Sequence, residues 1–273
     1  MKEFENIVIG SASIPSLSIT VLLMVLMPIV SFVYWRRKHR ESTGFNYLVA
    51  GVLGFIISSR VLEMGVHYLC ILADNPVSRF INGNTAAFVI YGAAMAGVFE
   101  ECGRYVVMKY VLKKDRTREN AVMYGIGHGG IEIVAVVLPT IILSLVSAIL
   151  FSSGDTQNAL SALRITEDTA ASALPTIKAA AAFDFATMAL NVAERVFAMV
   201  LHIGLSVVVF HGVVKDRKVF LPLAICLHMV TDLFPAIYQR GLLPLWIVEV
   251  WVGAWSAVIA CIAVRLYRRC EVS

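Results

Sequence analysis

Glu100, Glu101 and Arg104 lie in the middle of an apolar run that extends from about residue 85 to residue 112. An ionised side chain at the centre of a bilayer costs roughly 2.5–3.5 kcal/mol on insertion scales. Two adjacent carboxylates and an arginine placed there need a purpose. Three more apolar runs carry polar groups of the same kind: His128 with Glu132, Glu194 and Arg195 with His202, and His228 with Asp232. Carboxylates and imidazoles gathered in an apolar setting suit the activation of water. Glu100 can take a proton from water, and His128 can share that water or protonate a leaving amine. His228 can stabilise an oxyanion while Asp232 holds its ring. Arg104 can balance the glutamate pair.

Helical spacing puts these groups on common faces. Glu100 and Arg104 are four residues apart, as are His128 and Glu132, and His228 and Asp232. Residues at that spacing share one side of a helix. Each of four runs therefore presents one polar stripe, and the stripes should face one another rather than lipid. Depth agrees. Counted from the basic end of each run at 1.5 Å per residue, Glu100, His128, His202 and His228 all fall on the order of 12–18 Å in. Glu132, Glu194 and Asp232 lie slightly deeper. Gly127, Gly129 and Gly130 leave room beside His128 for a close helix or an extended substrate backbone.

The elements that carry these stripes are membrane spans. The chain has 273 residues, 59% hydrophobic and only 15% charged, where soluble domains carry about 25% charged residues. Seven runs reach the roughly 20 apolar residues that a span requires: about 16–35, 45–73, 85–112, 121–151, 182–214, 219–238 and 244–266. The expected fold is an all-α, polytopic transmembrane helical bundle forming one integral membrane domain over 1–273. An eighth segment is added if the alanine-rich stretch within 152–181 re-enters the membrane. Otherwise that stretch should be an external loop with a short surface helix. With the N-terminus outside and the C-terminus cytosolic, 14 Lys and Arg face the cytosol and 5 face outward. The positive-inside rule favours that orientation strongly.

The net charge of +4 gives no nucleic-acid signal, because the basic residues flank apolar runs in short clusters. The N-terminal Lys2, Glu3 and Glu5 do not resemble a cleavable leader. Cys70, Cys102, Cys226, Cys261 and Cys270 form no CxxC pair and are expected to act as small buried hydrophobes. Arg60, Glu63 and His67 share a face and are expected to pair structurally. His39 and His211 are expected to be solvated, and Asp184 and Glu249 to reach water near the outer boundary.

The run Glu100-Glu101-Cys102-Gly103-Arg104 resembles the EExxR signature of the CAAX-protease and PrsW superfamily of intramembrane proteases. Tyr124 to Glu132 (YGIGHGGIE) resembles its second motif, an aromatic residue four before a histidine. His228 to Asp232 resembles the closing His-x-x-x-Asn/Asp motif. The GHGGIE form, with Glu194 and His202 in an intervening span, is most similar to the YhfC-type branch. The three motifs fall in order on a core from 85 to 238. The resemblance implies a glutamate-dependent peptidase with Glu100 as base and His128 as its partner, and with His228 and Asp232 on the oxyanion side. EExxR in place of EExxxR, Tyr124 for Phe and Asp232 for Asn separate this chain from the prenyl-protease pattern.

The expected function is hydrolysis of a peptide bond in or near the membrane by water activated without a cofactor. The expected catalytic set is Glu100, Glu101, Arg104, His128, Glu132, His202, His228 and Asp232. Zinc is the alternative: His128, His202 and His228 with Glu100 would leave a position open for water. A proton-coupled transporter or a non-catalytic membrane scaffold are readings from other classes. The expected partners are membrane lipid and a membrane-protein or membrane-associated peptide substrate. The expected location is a bacterial plasma membrane.

Overall fold

The structure, a computed structural model, describes residues 2–269. Cys270 lies outside the described residues. Seven helices are long and apolar enough to cross a membrane: Ser13–Lys38, Phe45–Leu72, Thr85–Val111, Arg118–Ser152, Phe185–Val214, Phe220–Tyr238 and Leu245–Arg269. They are called the first to seventh spans below. They match the seven apolar runs of the sequence to within a few residues, and no strand occurs among the described residues.

Outward faces are apolar: Ile57, Val61, Ile90, Leu143 and Val250 are all at least half exposed. The charged groups of the third-span stripe, Glu100, Glu101 and Arg104, lie inside, as a lipid solvent favours. Cys226 and Cys261 also face outward, so the expectation of buried thiols fails for them; Cys70 and Cys102 are half-buried, and these four are free thiols. Cys226 and Cys261 fall on the outward stripes of apolar helices, where lipid takes the place of a protein core.

The chain divides into two compact units. One takes in the N-terminal segment through Met27 with Ile133–Ala193; the other takes in Pro28–Glu132 and the segment from Glu194 onward. In the first unit, the connection between the fourth and fifth spans forms two helices, Thr156–Ala162 and Glu167–Ala181. This corrects the expected loop with one short helix. Asp155 caps the first helix by accepting from the Asn158 N–H, and Thr166 with Thr169 forms a capping box on the second. Phe4, Phe151, Ala159, Leu160 and Ile177 bury one another around them. Asp184 is exposed, as expected. Hydrogen bonds from the Thr187 N–H and hydroxyl, both 2.7 Å, hold its carboxyl below the usual range.

The second unit contains the polar stripes. Its helices approach closely where glycine permits. A Cβ on Gly51 would lie 2.2 Å from the Tyr124 carbonyl oxygen, and one on Gly127 would lie 2.2 Å from that of Leu48. The second and fourth spans thus meet backbone to backbone, which settles what Gly127 makes room for. Gly125 brings the fourth span against Ile203 of the fifth in the same way. At the basic ends, Gly44 N–H donates to Asn120 Oδ1 at 2.7 Å, and Trp35 Nε1 donates to the Glu119 carbonyl at 3.0 Å. His211, expected to be solvated, is buried against the Phe220 ring at 5.0 Å. The short turn after Val214 folds Phe220 back over it.

The close contact has a direct consequence. Gly127→Val places a Cβ that carries two methyl groups against the Leu48 carbonyl, and overpacking a rigid contact costs about 1–3 kcal/mol or more. Thermal unfolding in detergent should show a large loss of stability for Gly127→Val. Gly83→Ala, where nothing lies within 4 Å, should unfold as the wild type does.

Candidate functional site

The third span aims its buried stripe of Val89, Ala93, Gly97, Glu100, Glu101 and Arg104 inward. Arg104 and Glu101 are both completely buried, and Arg104 Nη1 donates to Glu101 Oε2 at 2.9 Å. Arg104 therefore takes Glu101 as its partner. Glu100, four residues away on the same face, turns to His128 instead, with Oε2 2.9 Å from His128 Nε2. The same Oε2 lies 3.8 Å from His202 Nδ1. One carboxylate oxygen thus faces a nitrogen of each of two imidazoles.

Carboxylates orient the histidines. His202 Nε2 lies 2.5 Å from Glu132 Oε2, and Arg195 Nη1 donates to Glu132 Oε1 at 3.0 Å. Arg195 Nη2 also pairs with Glu194. The other ring nitrogen of His202, Nδ1, faces Glu100 and lies 3.3 Å from Arg104 Nη2, whose N–H can donate to it. His228 Nδ1 lies 2.8 Å from Glu101 Oε1, and its Nε2 lies 3.4 Å from Asp232 Oδ2. Asp232 does meet His228, as its spacing suggests, but Glu101 holds the ring more closely. The rings of His128 and His202 are 4.8 Å apart, and those of His202 and His228 are 5.7 Å apart.

All eight expected residues therefore belong to one connected network. Shared faces do not give the pairings: Arg104 bonds Glu101 rather than Glu100, and His128 and Glu132 do not bond each other. Residues one turn apart point the same way, so each meets a group from a neighbouring helix instead. Sequence reasoning left Arg195 outside the set. Its spacing of seven from His202 was the available signal. Glu249, expected to reach water, is buried with neither oxygen hydrogen-bonded; one and two turns further on, Gly253 and Ser256 pack the seventh span against Phe197 of the fifth. Glu63 is also buried; it accepts from Ser59 at 2.9 Å and lies 3.3 Å from His67, while Arg60 is exposed. The expected structural pairing is thus made by Glu63 and His67.

The donor set fits a divalent cation. Ligand atoms of Glu100, His128 and His202 all lie within 4.8 Å of one another, and all three residues are buried. His228, expected in a three-histidine site, is not among them, because each of its ring nitrogens faces a carboxylate. Two imidazoles and a carboxylate suit zinc, and His202 already has the carboxylate partner that metal-bound histidines use. His128 Nδ1 is buried without a hydrogen-bond partner. Five carboxylates (Glu100, Glu101, Glu132, Glu194, Asp232) share the network with two guanidinium groups. That excess of negative charge calls for protons or a cation.

These features define a multi-span membrane protein with a buried carboxylate–histidine centre. The family described as YhfC intramembrane metalloprotease matches residues 23–252, and the chain belongs to that family. It is 29% identical over 235 residues to the uncharacterized membrane protein YhfC of Bacillus subtilis (strain 168), covering 86% of this chain and 88% of the relative. No solved structure matches the chain significantly.

The Arg104–Glu101 pair can be tested directly. Arg104→Met leaves a buried carboxylate without its cation, which typically costs about 3–5 kcal/mol. Thermal unfolding should fall sharply for Arg104→Met. It should recover in part when Glu101→Leu is added, because the double variant buries no orphaned charge.

Proposed function

We propose that this protein is an intramembrane peptidase whose hydrolytic centre is formed by Glu100, His128 and His202. The observation that carries the reading is the convergence of these three buried side chains, from three different spans, on a single point. The family description supports a peptidase, and the donor set supports a metal-dependent one. A divalent ion held by the three residues would supply Lewis-acid polarisation of the scissile carbonyl and would acidify water.

The remaining residues hold protons and orient the centre. Glu132 takes the His202 Nε2 proton in a hydrogen bond and so keeps Nδ1 turned inward. Arg195 fixes Glu132 from the other side. Glu101, anchored by Arg104, holds His228 by Nδ1. His228 is thereby held between two carboxylates, Glu101 at 2.8 Å and Asp232 at 3.4 Å. Asp232, partly exposed, meets His228 Nε2 at 3.4 Å on the side of the ring away from Glu101.

A metal-free form of the same chemistry is favoured by one contact. Arg104 Nη2 lies 3.3 Å from His202 Nδ1, so a guanidinium already faces the lone pair that a metal would use. In that form Glu100 is the base that removes a proton from water, and His128 shares the proton through Nε2. This is the chemistry of the CAAX-protease and PrsW resemblance. The core would extend from 85 to 238, in a bacterial plasma membrane with the N-terminus outside. The substrate would be a membrane-embedded or membrane-associated peptide reached among lipids.

Two measurements test the reading. Purified Glu100→Gln should retain wild-type thermal unfolding yet lose cleavage of a transmembrane peptide by at least about 10²-fold, the scale of general acid–base and metal-ligand roles; wild-type turnover would remove Glu100 from the centre. Elemental analysis should find zinc bound to the wild type and lost on chelation together with activity. Glu132→Gln should weaken that binding about 10–100-fold. Full turnover in a metal-free sample would leave the glutamate-base form standing.

A further inference from the structure

Among the buried polar atoms of the fifth and seventh spans that have no hydrogen-bond partner are Arg195 Nε and both carboxylate oxygens of Glu249. Arg195 has five N–H donors. Nη1 serves Glu132 and Nη2 serves Glu194, which leaves the Nε edge unused. Glu249 offers two acceptors with nothing to accept, and it is only 5% exposed. It lies near enough to Glu194 and Arg195 for the charges of both to act on it.

The seventh span presses this region onto the fifth. Gly253, one turn beyond Glu249, packs against the Phe197 ring, and Ser256 Oγ donates to the Phe197 carbonyl at 3.0 Å. Glu249, Gly253 and Ser256 share one helical face, so Glu249 is held at the Glu194–Arg195 end of that contact. An apolar side chain of similar size would fill the space without the cost of desolvating a carboxylate. An unused acceptor and an unused donor thus lie within reach of each other's charge without a direct bond, and the donor is one step removed from Glu132.

We propose that Glu249 is a positioning residue for the hydrolytic centre. It takes the Nε–H of Arg195 by rotation of its side chain and fixes the guanidinium against Glu132. Glu132 in turn sets the orientation of His202. The chain of contacts runs Glu249, Arg195, Glu132, His202 and then Glu100, across the seventh, fifth, fourth and third spans. The proposal rests on the reading of His202 as part of the centre, and it adds the seventh span to the elements that shape that centre.

The test uses the full-length protein in micelles with ¹⁵N-labelled histidine, the His202 signals being assigned with His202→Gln. Glu249→Leu, which removes the acceptor and fills the contact, should shift the His202 Nε2 resonance, leave the His228 resonances in place, and weaken Co²⁺ binding about tenfold, the scale of lost outer-shell contacts. Unchanged His202 resonances together with wild-type Co²⁺ affinity would overturn the proposal. If the wild type binds no Co²⁺, the metal reading fails by itself, and the His202 resonance alone decides the role of Glu249. Should Leu disturb folding, Glu249→Met carries the same test, since it too removes the carboxylate acceptor at similar length.

Discussion

Arg104 and Glu101 face each other at 2.9 Å with no exposure to solvent, and the centre is built around that ion pair. A charge taken out of water into an apolar interior has to be met by an opposite charge or by hydrogen bonds. Arg104 meets this demand for Glu101, and Glu101 then orients His228. Because Arg104 is committed there, Glu100 is left to the histidines. The division of labour between two adjacent glutamates follows from which one the arginine takes. One turn of helix thus yields one carboxylate held by an arginine and one held by a histidine.

The same constraint repeats on the fifth span. Arg195 sits between Glu132 and Glu194, and Glu132 orients His202. Each histidine near the centre is therefore governed by a carboxylate, and two of those carboxylates are governed by an arginine. Such a layered arrangement holds donor atoms still, which a water-activating site requires. Backbone-to-backbone contact at Gly51 and Gly127 brings the fourth span, with His128, close to its neighbour. The apolar outer surface leaves the interior as the place where these polar groups can be satisfied.

Much of this was legible in the residues. The seven spans follow from runs of apolar residues whose length the bilayer dictates, and their ends agree with the structure to within a few positions. The eight network residues stand out because each is polar in an apolar helix at helical spacing. What spacing does not give is the partner. Residues four apart share a face, yet His128 meets Glu100 and Glu132 meets His202, since contacts across helices depend on how the spans are brought together. Arg195 was visible only as a neighbour of His202. Glu249 and His211 were assigned to water from their places near span ends, and both are buried because neighbouring segments fold over them. The stretch from 152 to 181 hid a second helix because alanine and polar residues carry little hydrophobic pattern.

The central claim is that Glu100, His128 and His202 together hold the group that activates water. X-ray absorption at the zinc edge of the purified protein tests it most directly. The account predicts bound zinc with two imidazole nitrogens and one carboxylate oxygen among its nearest neighbours, at about 2.0–2.2 Å, and loss of one imidazole contribution in His202→Ala. Zinc bound through cysteine sulfur, or a spectrum unaltered by removing His128 or His202, would contradict it.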